Sequence, residues 1–238
     1  MSARSLLLLV ILAALIVVPL VHADAGPYLI PLEGSRWNRS VISVHVAGGK
    51  EWQRNQTYQA IQIWNQAQLS FARRYFPNSS VYTFEVGDSS AQVQVRLLNS
   101  TAVVGTIQAW TDYHALNGTM ESASVKIGAK TSPLAVLLLS LHELGHVLGI
   151  GHVSCCKRDL MDPYPVTNSA WPTPTTLDLY AVHVLSSGDP SLSFVVLPNK
   201  IPYEPMPSEV ALPESANLLI MLTAVSGVLL MRRRKLAA

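Results

Sequence analysis

Three histidines and one glutamate lie within the stretch His-Glu-Leu-Gly-His-Val-Leu-Gly-Ile-Gly-His at residues 142–152. Four positions separate His142 from His146, so both imidazoles lie on one face of a helix, one turn apart. Two imidazoles at that spacing can bind one metal ion. A catalytic Zn²⁺ ion takes three protein ligands and keeps one coordination position open. The spacing therefore predicts a zinc site that needs one further ligand.

The third ligand has to come from beyond the end of that helix. Gly149 and Gly151 can turn the chain sharply, because glycine enters the left-handed region of backbone conformation, and this turn would bring His152 back as the third ligand. Glu143 points to a different part of the site, so we assign it the role of general base. Zinc lowers the pKa of a coordinated water to about 7, and a carboxylate can accept the proton of that water.

Residues 142–152 match the metzincin signature His-Glu-x-x-His-x-x-Gly-x-x-His, and the sequence is similar to that family of zinc peptidases. Nine residues after His152, Met161 lies in Leu-Met-Asp-Pro, which resembles the methionine turn of metzincins in its matrixin form. The resemblance covers about residues 40–188. It implies a metalloendopeptidase with the ligands and the base assigned above, and it makes Met161 the apolar floor of the site.

The same resemblance implies where a substrate would bind. Metzincins hold a peptide or protein substrate as an extended strand along one sheet edge. Here that edge would be the fourth strand, near the residues Gly105, Thr106, Ile107, Gln108 and Ala109. Tyr164 has an offset from Met161 that does not match the families that use a tyrosine at the site. The matrixin pattern for a structural zinc ion is missing, and calcium is allowed by the resemblance but supported by no motif.

The elements that must position this site follow from hydrophobic periodicity. A strand at 41–46 and a helix at 51–76 come first; Pro133 with Ser132 as cap begins the helix that carries the motif, over about 134–148. A last helix follows Thr175. Between the first two helices, alternating or continuous apolar runs predict four further strands at 81–86, 93–98, 103–111 and 123–127. The order predicts an α+β fold with a mixed five-stranded sheet, a long backing helix, an active-site helix and a C-terminal helix.

The chain of 238 residues is 49% hydrophobic and 13% charged, and two apolar tracts at its ends contribute to that balance. We expect a signal peptide at 1–23, a peptidase domain at 24–188 and an extended proline-rich stalk at 189–214. A transmembrane helix at 215–231 and a cytoplasmic basic tail at 232–238 would follow. The domain would then lie outside the cell, on a single-pass anchor that also resembles prokaryotic C-terminal sorting tags.

Asn-x-Ser/Thr triplets support an extracytoplasmic domain. All of them precede the metal motif, and they begin at Asn38, Asn55, Asn78, Asn99 and Asn117. Such triplets are acceptors for N-glycosylation, so the pattern indicates a glycoprotein. The only two cysteines, Cys155 and Cys156, are adjacent, and the sequence leaves open free thiols, a vicinal disulfide and an intermolecular link.

Three other interpretations compete with a surface peptidase. An intramembrane metalloprotease needs further spanning helices, and no other internal segment is long enough. A non-catalytic, zinc-holding surface protein for binding or adhesion has no use for Glu143, which separates it from an enzyme. A surface-coat protein would make the triplets and the stalk the main feature. Nucleic-acid binding is excluded by the net charge of +2 and the lack of a basic stripe.

Overall fold

The computed structural model describes residues 27–98, 109–128, 132–156, 159–163, 173–188 and 192–206. In this part of the chain there are three helices: α1 (Glu51–Tyr75), α2 (Pro133–Val147) and α3 (Thr176–Ser187). There are also eight strands: β1 (Leu29–Pro31), β2 (Arg36–Trp37), β3 (Val41–Gly48), β4 (Thr83–Val86), β5 (Val93–Leu97), β6 (Ala109–Leu116), β7 (Thr119–Ile127) and β8 (Phe194–Val196).

The main sheet has six strands in the order β2-β7-β5-β3-β4, with β6 paired to β7. Strand β3 runs parallel to β4 and β5, and β7 runs parallel to β5 and β2. Only β6 is antiparallel to its neighbour. This mixed sheet with three helices confirms the predicted α+β class; β2 adds a short sixth strand to the predicted five.

Apolar side chains between the sheet and the helices form the core. Along β5 the buried residues Val93, Val95 and Leu97 alternate with more exposed ones, as the pleat of a strand requires. Helix α1 buries one face, including Ile61, Trp64 and other apolar residues, and packs against α2. The core therefore lies directly behind the helix that carries the histidines.

The hairpin between β6 and β7 differs from the sequence prediction. The fourth predicted strand was placed at 103–111, whereas the described strand runs from Ala109 to Leu116, and residues 99–108 lie outside the described part. Asn117 and Gly118 connect it to β7 with φ angles of 51° and 73°. Two consecutive positive φ angles form the turn type that hairpins prefer, and Asn-Gly is its strongest sequence signal.

The predicted stalk is wrong for its described part, residues 192–206, because this segment packs against the domain. Strand β8 pairs antiparallel with β1, and Leu197, Ile201 and Met206 are buried. Proline-rich chain is compatible with an extended stalk and equally with an extended strand laid on a core; burial decides between them. The folded domain therefore extends to at least Met206 rather than ending at 188.

Several predicted segments lie outside the described residues, namely the signal peptide, the C-terminal apolar tract, the basic tail and Tyr164. Among the helices of the described residues, none combines the length and the apolar character needed to cross a bilayer. Cys155 and Cys156 are joined by a disulfide, which selects one of the three alternatives left open by the sequence.

Candidate metal centre

Helix α2 is held in place through its own backbone by two buried tryptophans. The Trp64 indole of α1 donates to the carbonyl of Leu141 at 2.9 Å, and the Trp37 indole of β2 donates to the carbonyl of Val147 at 2.7 Å. Burial of both indoles leaves them few alternatives, since a buried donor without a partner is costly. These contacts fix the helix at positions adjacent to the motif and near its end.

The chain turns back after α2 at Gly149, as the sequence predicts. Its φ is +93°, and a Cβ atom at this position would lie 2.7 Å from the carbonyl oxygen of Ser35. Ile150 then forms a bridge with Leu32, which directs the chain toward His152. Gly151 works differently from the prediction: its φ is not positive, and the chain there passes close to Pro31, whose carbonyl accepts its N–H at 2.8 Å.

The turn brings the three histidines together. The Nε2 atoms are 3.2 Å apart between His142 and His146, and 3.1 Å from His152 to each of them. Nδ1 of His142 lies 2.7 Å from the carbonyl of Leu160, and Nδ1 of His146 lies 2.9 Å from that of Ile150. A carbonyl can only accept, so both Nδ1 atoms carry hydrogen, and in the neutral rings the converging Nε2 atoms present lone pairs.

This donor set fits a zinc ion. Nitrogen ligands at about 2.0–2.1 Å in a tetrahedral site lie about 3.3 Å from one another, close to the spacing of these three atoms. Converging lone pairs repel one another unless a cation lies between them. Ring N–H groups that donate to backbone carbonyls also orient metal-ligating histidines in known sites. Among the described residues, these three histidines form the one cluster of potential metal ligands.

Burial and charge favour the neutral state of His142. Desolvation, with a smaller effect of the neighbouring His146, lowers the pKa of His142 to about 3. Deprotonated imidazole is the form that binds metals. Glu33 lies at the rim of the cluster, with Oε1 3.6 Å from Nδ1 of His146, and it accepts a hydrogen bond from the Tyr113 hydroxyl.

Glu143 lies beside the cluster but does not join it. Its side chain is buried, and Oε2 accepts a hydrogen bond of 2.7 Å from the hydroxyl of Thr111 in β6. Desolvation raises the pKa of Glu143, and the hydrogen bond from Thr111 works against that shift. A carboxylate with a raised pKa binds a proton more readily than an ordinary glutamate, as a general base requires.

Met161, the predicted apolar floor of the site, packs against helix α2. It is fully buried, and a Cβ atom added at Gly145 of α2 would collide with its Sδ atom. Asp159 shapes this turn: its Oδ1 accepts from the backbone N–H of Met161 at 2.9 Å. The turn therefore packs against the face of α2 that carries the motif.

The described part of the structure contains some of the predicted site residues but not all of them. It brings together the three histidines, Glu143 and Met161, and it places Ala109 at the start of the edge strand β6. The other four residues of the predicted substrate edge, at 105–108, lie outside the described part. The sequence does not predict a role for Thr111, Glu33 or Asp159, because nothing in their local spacing indicates a long-range contact with the motif.

No protein-family model and no curated protein matches the sequence. Among solved structures, the chain is similar to two described as "Structure of myroilysin" and "Crystal structure of myroilysin". The first shows 21% identity and a TM-score of 0.35 over 52% of this chain and 54% of that chain. The second shows 20% identity and a TM-score of 0.34 over 50% and 47%. The chain thus spans about half the length of each.

Proposed function

We propose that the protein is a zinc-dependent endopeptidase of the metzincin type, with His142, His146 and His152 as ligands and Glu143 as general base. The observation that carries the proposal is the convergence of three Nε2 atoms within 3.2 Å of one another. A structural zinc site is closed by four protein ligands, whereas three leave a position for water or substrate. The carboxylate next to this open cluster supports hydrolysis rather than zinc storage or adhesion.

The residues divide the work of peptide hydrolysis. Zinc in such a site acidifies water and polarises a carbonyl group. Glu143 accepts a proton from the attacking water and returns it to the leaving amine. The Thr111 hydroxyl holds the Glu143 carboxylate in one orientation through its 2.7 Å hydrogen bond. Among the described strands β6 pairs only with β7, so its other edge is open for an extended peptide.

The same proposal includes the matrixin-like subfamily, which the Leu-Met-Asp-Pro turn supports.

The proposal also places the domain outside the cell. This location is supported by the apolar termini and by exposure of the four described triplet asparagines: Asn38, Asn55, Asn78 and Asn117. A surface anchor predicts that protease added to intact cells removes the domain from its membrane fraction. A domain that stays protected until the cells are lysed would contradict this location.

The central test pairs a metal assay with a peptidase assay on the purified domain. We expect about one zinc per chain and cleavage of an unfolded protein, lost with a chelator and restored by zinc. Glu143→Ala should keep the zinc and lose at least about 10²-fold in kcat, within the usual contribution of general acid–base catalysis. Glu85→Ala, at an exposed position of β4, is the matched control. Full activity of the Glu143 variant would refute the mechanism.

A further inference from the structure

Residues 192–206, named the C-terminal strap here, close over the start of helix α3. The backbone N–H of Thr176 donates to the carbonyl of Glu204, and the N–H of Met206 donates to the carbonyl of Pro174, both at 2.9 Å. A bridge pairs Thr175 with Pro205. These backbone contacts fix the strap to the segment that begins helix α3.

Tyr203 is the residue of the strap that reaches toward the metal centre. Its ring stacks on Tyr28 with 4.3 Å between centroids, and its hydroxyl donates to Oδ2 of Asp159 at 2.9 Å. The same Oδ2 accepts from the hydroxyl of Thr175 at 3.0 Å. The strap thus supplies one of the two hydroxyl donors to a fully buried carboxylate.

The Asp159 carboxyl is held by these two hydroxyls, by the backbone N–H of Met161 and by the neighbouring carboxyl of Asp178. No ion pair among the described residues involves it. The other buried carboxyl in the cluster, Asp178, binds Thr175 through Oδ2, and its Oδ1 has no hydrogen-bond partner. Desolvation, reinforced by the charge of Asp159, raises the pKa of Asp178 well above its usual range. Desolvation also raises the pKa of Asp159. A buried carboxyl group without a cation is held by its hydrogen-bond partners, and losing one is costly.

Hydrogen bonds connect the turn that contains Asp159 to two of the proposed metal ligands. Oδ1 of Asp159 accepts from the N–H of Met161, and the carbonyl of the intervening Leu160 accepts from the Nδ1–H group of His142 at 2.7 Å. The carbonyl of Met161 accepts the N–H of Val153, the residue after His152, at 2.9 Å. The turn at 159–161 therefore contacts the first ligand directly and the third through its neighbour.

We propose that Tyr203 is a positioning residue of the metal centre, which acts through Asp159 on the Leu160 carbonyl and so on His142. The proposal rests on the proposed function only in requiring that the three histidines bind a metal. On this proposal, the strap helps to orient a metal ligand and is not merely a connector. Partners of metal-ligating histidines typically change metal affinity or activity by 10–100-fold when they are altered.

The test uses the full chain and compares Tyr203→Phe with Tyr28→Phe. Each change removes one hydroxyl from the same ring stack, but only that of Tyr203 bonds Asp159. We expect Tyr203→Phe to weaken zinc binding about tenfold in chelator competition, the lower end of the range for such partners. It should also shift the visible absorption bands of the cobalt(II)-loaded protein. Tyr28→Phe should leave both readouts unchanged.

Asp159→Asn provides a second, independent variant, because an amide NH₂ cannot accept from Tyr203 while its oxygen can still accept from Met161. It should show at least the same loss, because it also removes the acceptor of the Thr175 hydroxyl. Adding Tyr203→Phe to it should cause no further loss, as expected for residues on one path. A Tyr203→Phe protein with the zinc affinity and cobalt spectrum of the unmodified chain overturns the proposal, whatever its thermal stability. Additive losses in the double variant also overturn it. Failure of the unmodified chain to bind either metal would instead refute the proposed function.

Discussion

At the scale of single residues, the candidate metal centre is organised by polar groups that surround the histidines and the glutamate. His142 and His146 each use Nδ1 on a backbone carbonyl, which directs Nε2 toward the shared centre. Glu143 uses one carboxylate oxygen on Thr111 and keeps the remaining capacity for a water molecule. The proposed chemistry thus requires four motif residues, whereas their orientation depends on residues far away in the sequence.

The Thr111 hydroxyl offers a prediction at this scale. Thr111→Val keeps the shape of the side chain but removes the donor to Glu143, so kcat should fall about tenfold while KM and zinc content stay nearly constant. Thr111→Ser should restore most of the rate because it keeps the hydroxyl. Steady-state kinetics on one peptide substrate measures both. A valine variant with unchanged kcat, or a serine variant as slow as valine, would contradict this role.

The sequence predicted the motif residues but not their supports, for a physical reason. Histidines spaced by one helical turn and followed by glycine satisfy a local geometric rule, so their spacing alone predicts convergence. Thr111 and Asp159 act through contacts that depend on how β6 and the methionine turn are placed on α2. Such placement follows from packing of the whole domain, which a single sequence does not specify in detail.

At the scale of secondary-structure elements, the strands and helices predicted between 41 and 188 appear in the expected order. The alternation of apolar residues in β5 and their helical spacing in α1 were sufficient to predict these elements, because each element buries one face on the same core. The largest error lay at β6, where the Asn117-Gly118 turn marks the end of the strand. The Asn-Gly dipeptide indicates a hairpin, but it was interpreted only as part of a glycosylation triplet.

The turn that ends α2 gives a prediction about an element boundary. Gly149→Ala destabilises this turn in two ways: the φ angle of 93° strains a residue with a side chain, and the new Cβ atom would lie 2.7 Å from the carbonyl oxygen of Ser35. We expect a loss of about 2–5 kcal/mol in the free energy of unfolding, from left-handed strain and overpacking together. Gly34→Ala is the matched control: its φ is 73° but nothing lies within 4 Å, so it should lose only about 1–2 kcal/mol.

Urea unfolding of both alanine variants without metal separates the cost of backbone strain from the cost of the close contact with Ser35. Metal-free protein is used so that a weaker zinc site does not add to the difference. Equal losses at the two positions would mean that the approach of Gly149 to Ser35 contributes nothing to the turn. A larger loss at Gly34 would contradict the account entirely.

At the scale of the whole molecule, the N-terminal and C-terminal segments of the domain meet each other. Strand β1 precedes the main sheet, β8 follows the last helix, and the two pair over three residues. Glu33, just after β1, reaches the rim of the histidine cluster, and Tyr203, after β8, reaches Asp159. Proline content suggested a stalk here because the buried residues of this segment are too few to form a period.

The final prediction concerns where the folded unit ends. Val195, Leu197, Ile201 and Met206 are each at most 5% exposed. Burying four such side chains contributes about 6–12 kcal/mol, at roughly 1.5–3 kcal/mol each, comparable with the total stability of about 5–15 kcal/mol that folded domains possess. A chain of residues 27–188 should therefore lack a cooperative thermal transition in circular dichroism, whereas a chain of residues 27–206 should show one.

Two variants of the longer chain separate packing from mere length. Ile201→Ala removes a buried side chain and should cost about 2–4 kcal/mol in urea unfolding. Phe194→Ala removes a side chain that is 51% exposed and should change stability by at most about 0.5 kcal/mol. If 27–188 unfolds cooperatively at the same temperature as 27–206, the strap is a connector after all. In that case Tyr203 would have no fixed position from which to orient the metal centre, so the extent of the domain and the role of this tyrosine depend on the same packing.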